Sequence, residues 1–255
     1  MAKIKTGRHL LTAGETFNFT CNPQVDCFTN CCHNADMYLY PYDVIRMKNR
    51  LGMTSDEFLE KHTYSDYRDN EHFPSVMLKM QKIEGLPCPF LTDEGCTVYE
   101  DRPFSCRAYP LEPAVSRVGD YCHTAYFYTV HDHCHGHGHG HGQGREWTAE
   151  EWIADQNMGD YIAMNAHWVD MDSLFRSNPW GPQGRQSPAL KMAAMACFNV
   201  DKFKDFVLNS SFLSRFDVPG DRLAMAQASD EDMMLLGFDF VKSFLTGKGP
   251  FFPKS

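Results

Sequence analysis

Cysteine is the residue type in this sequence that points most clearly to chemistry. The chain contains ten cysteines. Nine of them lie in three blocks between residues 21 and 134: Cys21, Cys27, Cys31 and Cys32, then Cys88, Cys96 and Cys106, then Cys122 and Cys134. Cysteine thiolates bind zinc at about 2.3 Å in tetrahedral sites, and they also bind iron–sulfur clusters. The blocks therefore predict a metal site.

The adjacent cysteines Cys31 and Cys32 raise a separate question, because the side chains of successive residues point away from each other. Two neighbouring thiols would therefore contact either two metals, or one metal and one supporting group. The spacing of the blocks matches neither a two-plus-two zinc ribbon nor the bacterial ferredoxin run. Spacing alone predicts a metal without choosing between zinc and iron.

Some cysteines pack in protein cores as small apolar residues and bind nothing. We assign that role to Cys197, which lies alone in the alanine- and methionine-rich segment KMAAMACFNV.

Composition indicates the setting of these thiols. With 255 residues and 43% hydrophobic content, the chain can bury a core without disulfides. The segment MAKIKTGRHLLTAGETF lacks a signal-peptide pattern, and no apolar stretch is long enough to span a membrane. We therefore expect a cytoplasmic protein whose reduced cysteines bind metal. A net charge of −9 without a basic stripe argues against nucleic acid as a partner.

Several segments together resemble the CxxCxxCC family of cysteine-cluster proteins, also called the YkgJ-type family, a zinc- or iron-chelating domain. They are the first cysteine block, YPYDVIRMKNRLGMTSDEFLEKH, and CPFLTDEGCTVYEDRPFSCRAYP, with a looser likeness in CHGHGHGHGQGREWTAEEW. The resemblance covers about half of the chain. Non-cysteine residues of the family motif agree as well: Tyr99, Arg102, Pro103, Arg107 and Pro110.

The resemblance implies the following metal ligands: Cys21, Cys27, Cys31, Cys32, Cys88, Cys96, Cys106 and Cys134. Two features depart from the family pattern, namely the wider gaps in the first block and the enrichment in histidine, and His135 stands where the family has a proline. For Cys122 two alternatives stay open: a metal ligand, or a cysteine that does not contact the metal. Eight thiolates allow two four-sulfur sites, or one cluster with a second, labile ion.

Arg102 and Arg107 bracket Cys106 in this motif. Several thiolates around one ion form an anionic site, which guanidinium donors would offset while they bond to the sulfurs. The alternative is two surface arginines with solvated heads. Pro103 and Pro110 are expected to fix the turns between ligands.

Histidine and glycine alternate in the segment HDHCHGHGHGHGQG. If the backbone is extended, all six histidines project to one face and form a chelating comb: His131, His133, His135, His137, His139 and His141. This predicts a mobile loop, residues 131–144, with weak extra Ni²⁺ or Zn²⁺ binding. A linker with incidental metal affinity is the alternative.

The elements that must position these residues define an α+β fold. We expect a loop-rich cysteine-cluster domain over residues 17–144, with short helices and few strands, followed by a mainly helical region over 145–255 packed on it. Capping boxes predict helix starts after Thr54 and Thr148, and Gly52 predicts a helix end. FPSVMLKMQKI is typical of a strand, and further helices are expected at about 160–176, 188–196, 199–215 and 229–246.

The residues and the resemblance favour a metal-binding protein that holds zinc or an iron–sulfur cluster such as [4Fe–4S]. Two other classes stay open. Distant relatives of the family include a flagellin lysine N-methylase, which suggests a cluster-dependent protein-modifying enzyme, although no methyl-donor site is recognisable. A metal carrier or metallochaperone is the other class. A protein client, or a second copy bound through the C-terminal helices, would be the partner beyond the metal ion.

Overall fold

The computed structural model describes residues 7–118, 121–137 and 145–254. The side chains of residues 116–118, 121, 122, 252 and 253 lie outside this description. Within it, helices combine with several small antiparallel sheets, so the predicted α+β class is confirmed. No helix of the described residues is long and apolar enough to cross a membrane.

The strands run in chain order as β1 (Gly7–Leu10), β2 (Thr16–Asn18), β3 (Tyr38–Leu39), β4 (Thr63–Asp66), β5 (Ser75–Leu78), β6 (Leu91–Thr92), β7 (Gly95–Cys96), β8 (Leu111–Val118), β9 (Tyr121–Val130), β10 (Glu146–Thr148), β11 (Phe216–Asp217) and β12 (Phe252–Pro253). The helices are α1 (Pro41–Leu51), α2 (Ser55–His62), α3 (Phe104–Ala108), α4 (Ala149–Asp155), α5 (Gly159–Arg176), α6 (Pro188–Phe198), α7 (Val200–Asn209), α8 (Phe212–Arg215), α9 (Gly220–Ala228) and α10 (Asp230–Thr246).

The chain divides into two compact units, each built from two stretches of sequence. Unit 1 comprises Met1–Met37 and Lys79–Ala166, and unit 2 comprises Tyr38–Leu78 and His167–Ser255. All eight cysteines predicted as ligands lie in unit 1, whereas Cys197 lies in unit 2.

Unit 1 is organised around the three-stranded sheet β1–β9–β8 and the pair β2–β10. Its core contains buried residues on these strands, just after β2 and on helix α4: Phe17, Phe19, Leu111, Tyr128, Trp147, Ala149 and Trp152. Two tryptophans of this core also donate hydrogen bonds to main-chain carbonyls. Trp147 Nε1 reaches the Phe19 oxygen and Trp152 Nε1 reaches the Ala108 oxygen, both at 3.0 Å. The core therefore holds the chain just before Cys21 and just after Cys106.

Unit 2 contains the sheet β3–β5–β4 and most of the long helices. The α1 helix begins with Pro41 and ends at Gly52, whose φ of 63° is left-handed and suits glycine. Stacked aromatic rings fill part of its core, with the ring centroids of Phe73 and Phe175 4.0 Å apart. These elements bury apolar side chains and carry Cys197 on α6.

Local sequence signals predicted many elements correctly. The capping boxes at Thr54 and Thr148 are present, and β5 lies within the predicted strand. The structure differs over 199–215, where α7 ends at Asn209 and α8 begins at Phe212. The hairpin β8–β9 and helix α9 were not predicted from the sequence.

Candidate metal centre

Main-chain hydrogen bonds join the first cysteine block to the second. The N–H of Cys88 donates to the Cys32 oxygen at 2.7 Å, and the N–H of Asn34 donates to the Leu86 oxygen at 2.8 Å. Between them, His33 and Pro87 form an isolated antiparallel bridge. Residues far apart in sequence are thereby fixed side by side.

A tight hairpin then returns the chain within the second block. Strands β6 and β7 pair Leu91 with Cys96, and the N–H of Leu91 donates to the Cys88 oxygen at 3.1 Å. Gly95 has a φ of 115°, which only glycine adopts readily. This geometry brings Cys96 back towards Cys88. Cys106 follows on α3, with its Sγ 3.8 Å from the Met37 Sδ.

The segment around Cys134 packs against the first block. The N–H of His135 donates to the Cys27 Sγ at 3.0 Å, and the N–H of Thr20 donates to the Gly136 oxygen at 2.9 Å. A Cβ on Gly136 would lie 2.4 Å from the Thr20 oxygen and 2.9 Å from the Phe19 ring. Glycine at this position therefore permits the close approach.

Three of the cysteines have the same local hydrogen bond between the sulfur and the main chain. The sulfurs of Cys88, Cys96 and Cys134 each accept a hydrogen bond from the main-chain N–H two residues further on. Burial raises the pKa of each thiol, and this N–H opposes that rise by favouring the thiolate. Such N–H donors are the outer contacts that stabilise metal-bound sulfur. The donors are the main-chain groups of Phe90, Val98 and Gly136, which the sequence reading did not identify.

The adjacent pair Cys31 and Cys32 is hydrogen-bonded through its own side chains. The bond from Cys32 lowers the pKa of Cys31 to about 7, against the effect of burial. The same bond, followed by burial, raises the pKa of Cys32. One thiol of the pair is thus prepared to lose its proton, as a metal ligand must.

Cys21 lies within electrostatic reach of other cysteines. Although Cys21 is exposed as a residue, the protein around its sulfur partly removes it from water and raises its pKa to about 11, and the nearby sulfurs of Cys31, Cys134 and Cys27 add to that rise. Thiolates this close repel one another unless a cation lies between them. A bound metal ion would supply that cation.

Arg102 and Arg107 are both buried, so the alternative of solvated surface arginines is wrong. Arg102 donates to the Tyr99 oxygen at 2.6 Å and to the Gln156 side chain at 2.5 Å. Its charge acts on three thiols: Cys21, Cys96 and Cys106. Arg107 instead donates to the main-chain oxygens of Gln156, at 2.7 Å, and Glu100. The predicted charge offset thus has a structural basis at Arg102.

The predicted histidine comb needs a correction. His137 is only 2% exposed, and its Nδ1 and Nε2 lie 2.7 Å and 3.2 Å from the hydroxyls of Tyr128 and Tyr109. The Tyr109 hydroxyl is also hydrogen-bonded to the sulfur of Cys134. Burial raises the pKa of that thiol, and the hydrogen bond partly opposes the rise. The aromatic core draws this ring inwards, so the tract is not one exposed row. His131, His133 and His135 remain exposed, whereas His139 and His141 lie outside the described residues.

None of the nine cysteines whose side chains the structure describes is in a disulfide, and the side chain of Cys122 lies outside that set. In the same part of the chain, no group of three or more His, Cys, Asp or Glu residues has metal-binding geometry. The donor set nevertheless fits zinc or an iron–sulfur cluster by its chemistry, since both take thiolates supported by N–H donors. Cys197 is 3% exposed, and burial raises its pKa, as expected for an apolar packing role.

Comparison with known proteins bears on the same segment. Residues 20–135 match the CxxCxxCC family model, described as a "Putative zinc- or iron-chelating domain". The match includes all eight cysteines predicted as ligands, and it covers less than half of the chain. The resemblance to this family is therefore confirmed for residues 20–135. No curated protein and no solved structure matched the chain.

Proposed function

We propose that unit 1 binds zinc or iron through cysteine thiolates. The proposed ligands are Cys21, Cys27, Cys31, Cys32, Cys88, Cys96, Cys106 and Cys134. One observation carries the proposal: three segments distant in sequence meet through contacts made by or beside their cysteines. The chelating-domain match over residues 20–135 supports it independently.

The contacts around the sulfurs favour metal binding over simple packing. An apolar cysteine such as Cys197 is buried among hydrophobic residues, whereas Cys21, Cys31 and Cys106 are exposed. Exposed thiols in one cluster gain little from packing. A bound cation would displace the thiol protons, stabilise the thiolates and add its binding free energy to folding.

Zinc and a [4Fe–4S] cluster both take four thiolates, so the donor set suits either. The cytoplasmic location expected from the sequence is part of this proposal, because a reducing compartment keeps thiols available as metal ligands. A second, weaker Ni²⁺ or Zn²⁺ site is proposed at His131 and His133, whose exposed rings stack with centroids 5.2 Å apart.

Serine substitutions test the proposal. Cys31→Ser and Cys106→Ser are expected to lose metal and to lower the melting temperature, because serine cannot supply a thiolate. Cys197→Ser is the matched control, in which full metal content is expected. Metal content and thermal unfolding of the three purified variants decide the matter. Full metal retention in both Cys31→Ser and Cys106→Ser would contradict the proposal.

A further inference from the structure

Residues 81–87 of unit 1 form a loop, the 81–87 loop, which main-chain hydrogen bonds close at its base. The N–H of Gln81 donates to the Pro87 oxygen at 2.9 Å, and the N–H of Leu86 donates to the Ile83 oxygen at 3.0 Å. The Leu86 oxygen also accepts an N–H from the end of the first cysteine block. The loop is therefore supported both by its own turn and by a neighbouring segment.

Two large apolar side chains of the 81–87 loop face solvent. Ile83 is 60% exposed, more than any other large apolar side chain among the described residues, and Leu86 is 40% exposed. The turn that joins them keeps their Cα atoms within about 7 Å. Single exposed apolar residues are common, but apolar side chains grouped at a surface mark a contact with another molecule.

The backbone of Leu86 makes this leucine costly to the fold. Its φ of 46° is left-handed, a conformation in which the Cβ of an L-residue is crowded and which glycine or asparagine adopts more easily. The preceding residue, Gly85, has a φ of 76° and is the residue type that such a turn favours. A strained leucine that also leaves much of its side chain in water indicates a role outside the folded chain.

The charges near the 81–87 loop define which partner fits it. The two segments that its hydrogen bonds bring together, 26–36 and 79–94, carry five exposed acidic residues and two exposed lysines. The acidic residues are Asp26, Asp36, Glu84, Asp93 and Glu94, and the lysines are Lys79 and Lys82. An acidic surface attracts basic side chains and repels nucleic acid and anionic lipid. A second copy of this chain would bring the same negative charge to the contact.

We propose that the 81–87 loop is the docking site for a basic segment of another protein. Apolar side chains of that segment cover Ile83 and Leu86, and its lysines or arginines face the surrounding carboxylates. Because the loop is already held by hydrogen bonds, little conformational entropy is lost when the partner binds. This inference goes beyond the proposed function, since it assigns a protein partner to unit 1 whichever metal the cysteines bind.

Three variants of the full chain test the loop. Leu86→Gly removes the apolar side chain and suits the left-handed backbone, so its melting temperature should be no lower than that of the wild type. Ile83→Ser removes the second apolar side chain. Met225→Ser is the matched control, because Met225 is 52% exposed and lies on α9 of unit 2. A clear fall in the melting temperature of Leu86→Gly would show that the fold needs this leucine, and would overturn the inference.

Labelled synthetic peptides serve as probes of binding, measured by fluorescence anisotropy. A peptide of alternating lysine and leucine should bind the wild-type chain. A peptide of alternating glutamate and leucine and one of alternating lysine and serine should bind about tenfold more weakly or less. Leu86→Gly and Ile83→Ser should each weaken binding of the lysine–leucine peptide by about tenfold, whereas Met225→Ser should change it by less than about twofold.

Equal binding of either comparison peptide, unchanged binding in either loop variant, or no binding of the lysine–leucine peptide would overturn the inference. Two further measurements test other occupants of the loop. Sedimentation should show no dimer that Ile83→Ser dissociates, and vesicles of phosphatidylcholine with phosphatidylserine should not bind the wild-type chain. A dimer of that kind would assign the loop to a second copy, and vesicle binding that Ile83→Ser abolishes would assign it to a membrane. Either result would overturn the inference.

Discussion

At the scale of single residues, Arg102 and Arg107 resemble each other in sequence and burial but differ in what they contact. Both belong to the segment around Cys106 and are at most 8% exposed. Arg102 acts electrostatically on Cys21, Cys96 and Cys106, and its ring contact with Tyr99 holds the guanidinium in place at 3.9 Å. Arg107 lies 4.8 Å from the Tyr161 ring and binds carbonyls. Arg102 is placed to affect the proposed metal site, whereas Arg107 is placed to stabilise the fold.

Arg102→Gln is therefore expected to weaken zinc binding by about tenfold or more, because the thiolates lose a positive neighbour. Arg107→Gln should change zinc affinity much less while lowering the free energy of unfolding. Competition with a chromophoric chelator at neutral pH measures both affinities. Equal weakening in the two variants would show that Arg102 has no specific effect on the thiols.

His137 shows that a residue in a repetitive tract can have a role unlike that of its neighbours. Alternation of histidine and glycine predicted six equivalent side chains. The ring of His137 instead packs 5.3 Å from the Phe19 ring and bonds two tyrosines. The residues that bury His137 are Phe19, Tyr109 and Tyr128. They lie elsewhere in the sequence, so no local pattern around residue 137 could indicate them.

His137→Ala is expected to lower the free energy of unfolding by about 2 kcal/mol or more, because it removes buried packing and leaves hydroxyls with fewer partners. His135→Ala is the control, since that side chain is exposed and its N–H remains on Cys27. The control should stay within about 0.5 kcal/mol of the wild type. Urea unfolding compares them, and equal stability of the two variants would contradict the buried position.

At the scale of elements, β10 and α4 hold the cysteine-bearing segments in unit 1. Trp147 on β10 bonds the Phe19 oxygen, and Trp152 on α4 bonds the Ala108 oxygen. Gln156, just after α4, accepts from both arginines. The capping box at Thr148 predicted where α4 begins, but it could not reveal which segments α4 contacts, because those contacts join residues far apart in sequence.

In unit 2, a buried lysine ties three helices together. The Nζ of Lys48 on α1 lies 3.0 Å from Asp201 on α7 and 2.8 Å from Asp230 on α10. Burial alone would lower the pKa of Lys48, but its bonds to the two carboxylates raise it. Burial would likewise raise the pKa of Asp201, but the N–H of Ser55 and the bond from Lys48 lower it. The charged pair therefore stabilises the fold at neutral pH.

Lys48→Met is expected to lower the free energy of unfolding by about 2 kcal/mol at pH 7, because it leaves two partly buried carboxylates, 33% and 20% exposed, without their cation. The contribution of Asp201 is fully present above the unfolded pKa of about 3.9 and is lost as the pH falls through the lower folded value. The difference between wild type and variant should therefore narrow in acid. Urea unfolding from pH 7 to pH 3 measures it.

Lys202→Met is the matched control, since Lys202 pairs with Asp56 at 3.6 Å and is 60% exposed. It should change stability by less than about 0.5 kcal/mol. A cost for Lys48→Met that is constant across the pH range, or equal to that of the control, would contradict the role assigned to Lys48.

At the scale of the whole molecule, the sequence predicted composition-driven and local features better than long-range ones. Cysteine blocks, helix caps and the α+β class follow from residue types and short spacings, as at Gly52 and Thr54. The β8–β9 hairpin has eight- and ten-residue strands, but Pro113 interrupts the first and neither strand alternates regularly between apolar and polar residues, so no local signal identified it. The segment Tyr38–Leu78 belongs to unit 2 together with His167–Ser255, and this grouping depends on contacts between residues far apart in the sequence. The domain division at residue 144 stays a prediction.

The proposed ligand set likewise combines features that the sequence predicted with features that only the folded chain shows. The cysteine types and the family resemblance selected eight residues, while the contacts among them, the N–H donors at Phe90, Val98 and Gly136, and the position of Arg102 required the folded chain. The thiolates by themselves do not choose between zinc and iron, because both metals accept four of them.

The most direct measurement of the central claim is metal and acid-labile sulfide analysis of the full chain purified without oxygen, together with its absorption spectrum and a thiol titration. Metal-bound thiolates are shielded from thiol reagents, so the native chain should contain zinc or iron, and a chelator should increase its number of reactive thiols. Zinc without sulfide and without colour would select zinc centres, whereas brown colour with sulfide would select an iron–sulfur cluster. Absence of both metals, with no change in thiol reactivity on adding a chelator and no uptake of added metal, would contradict the account.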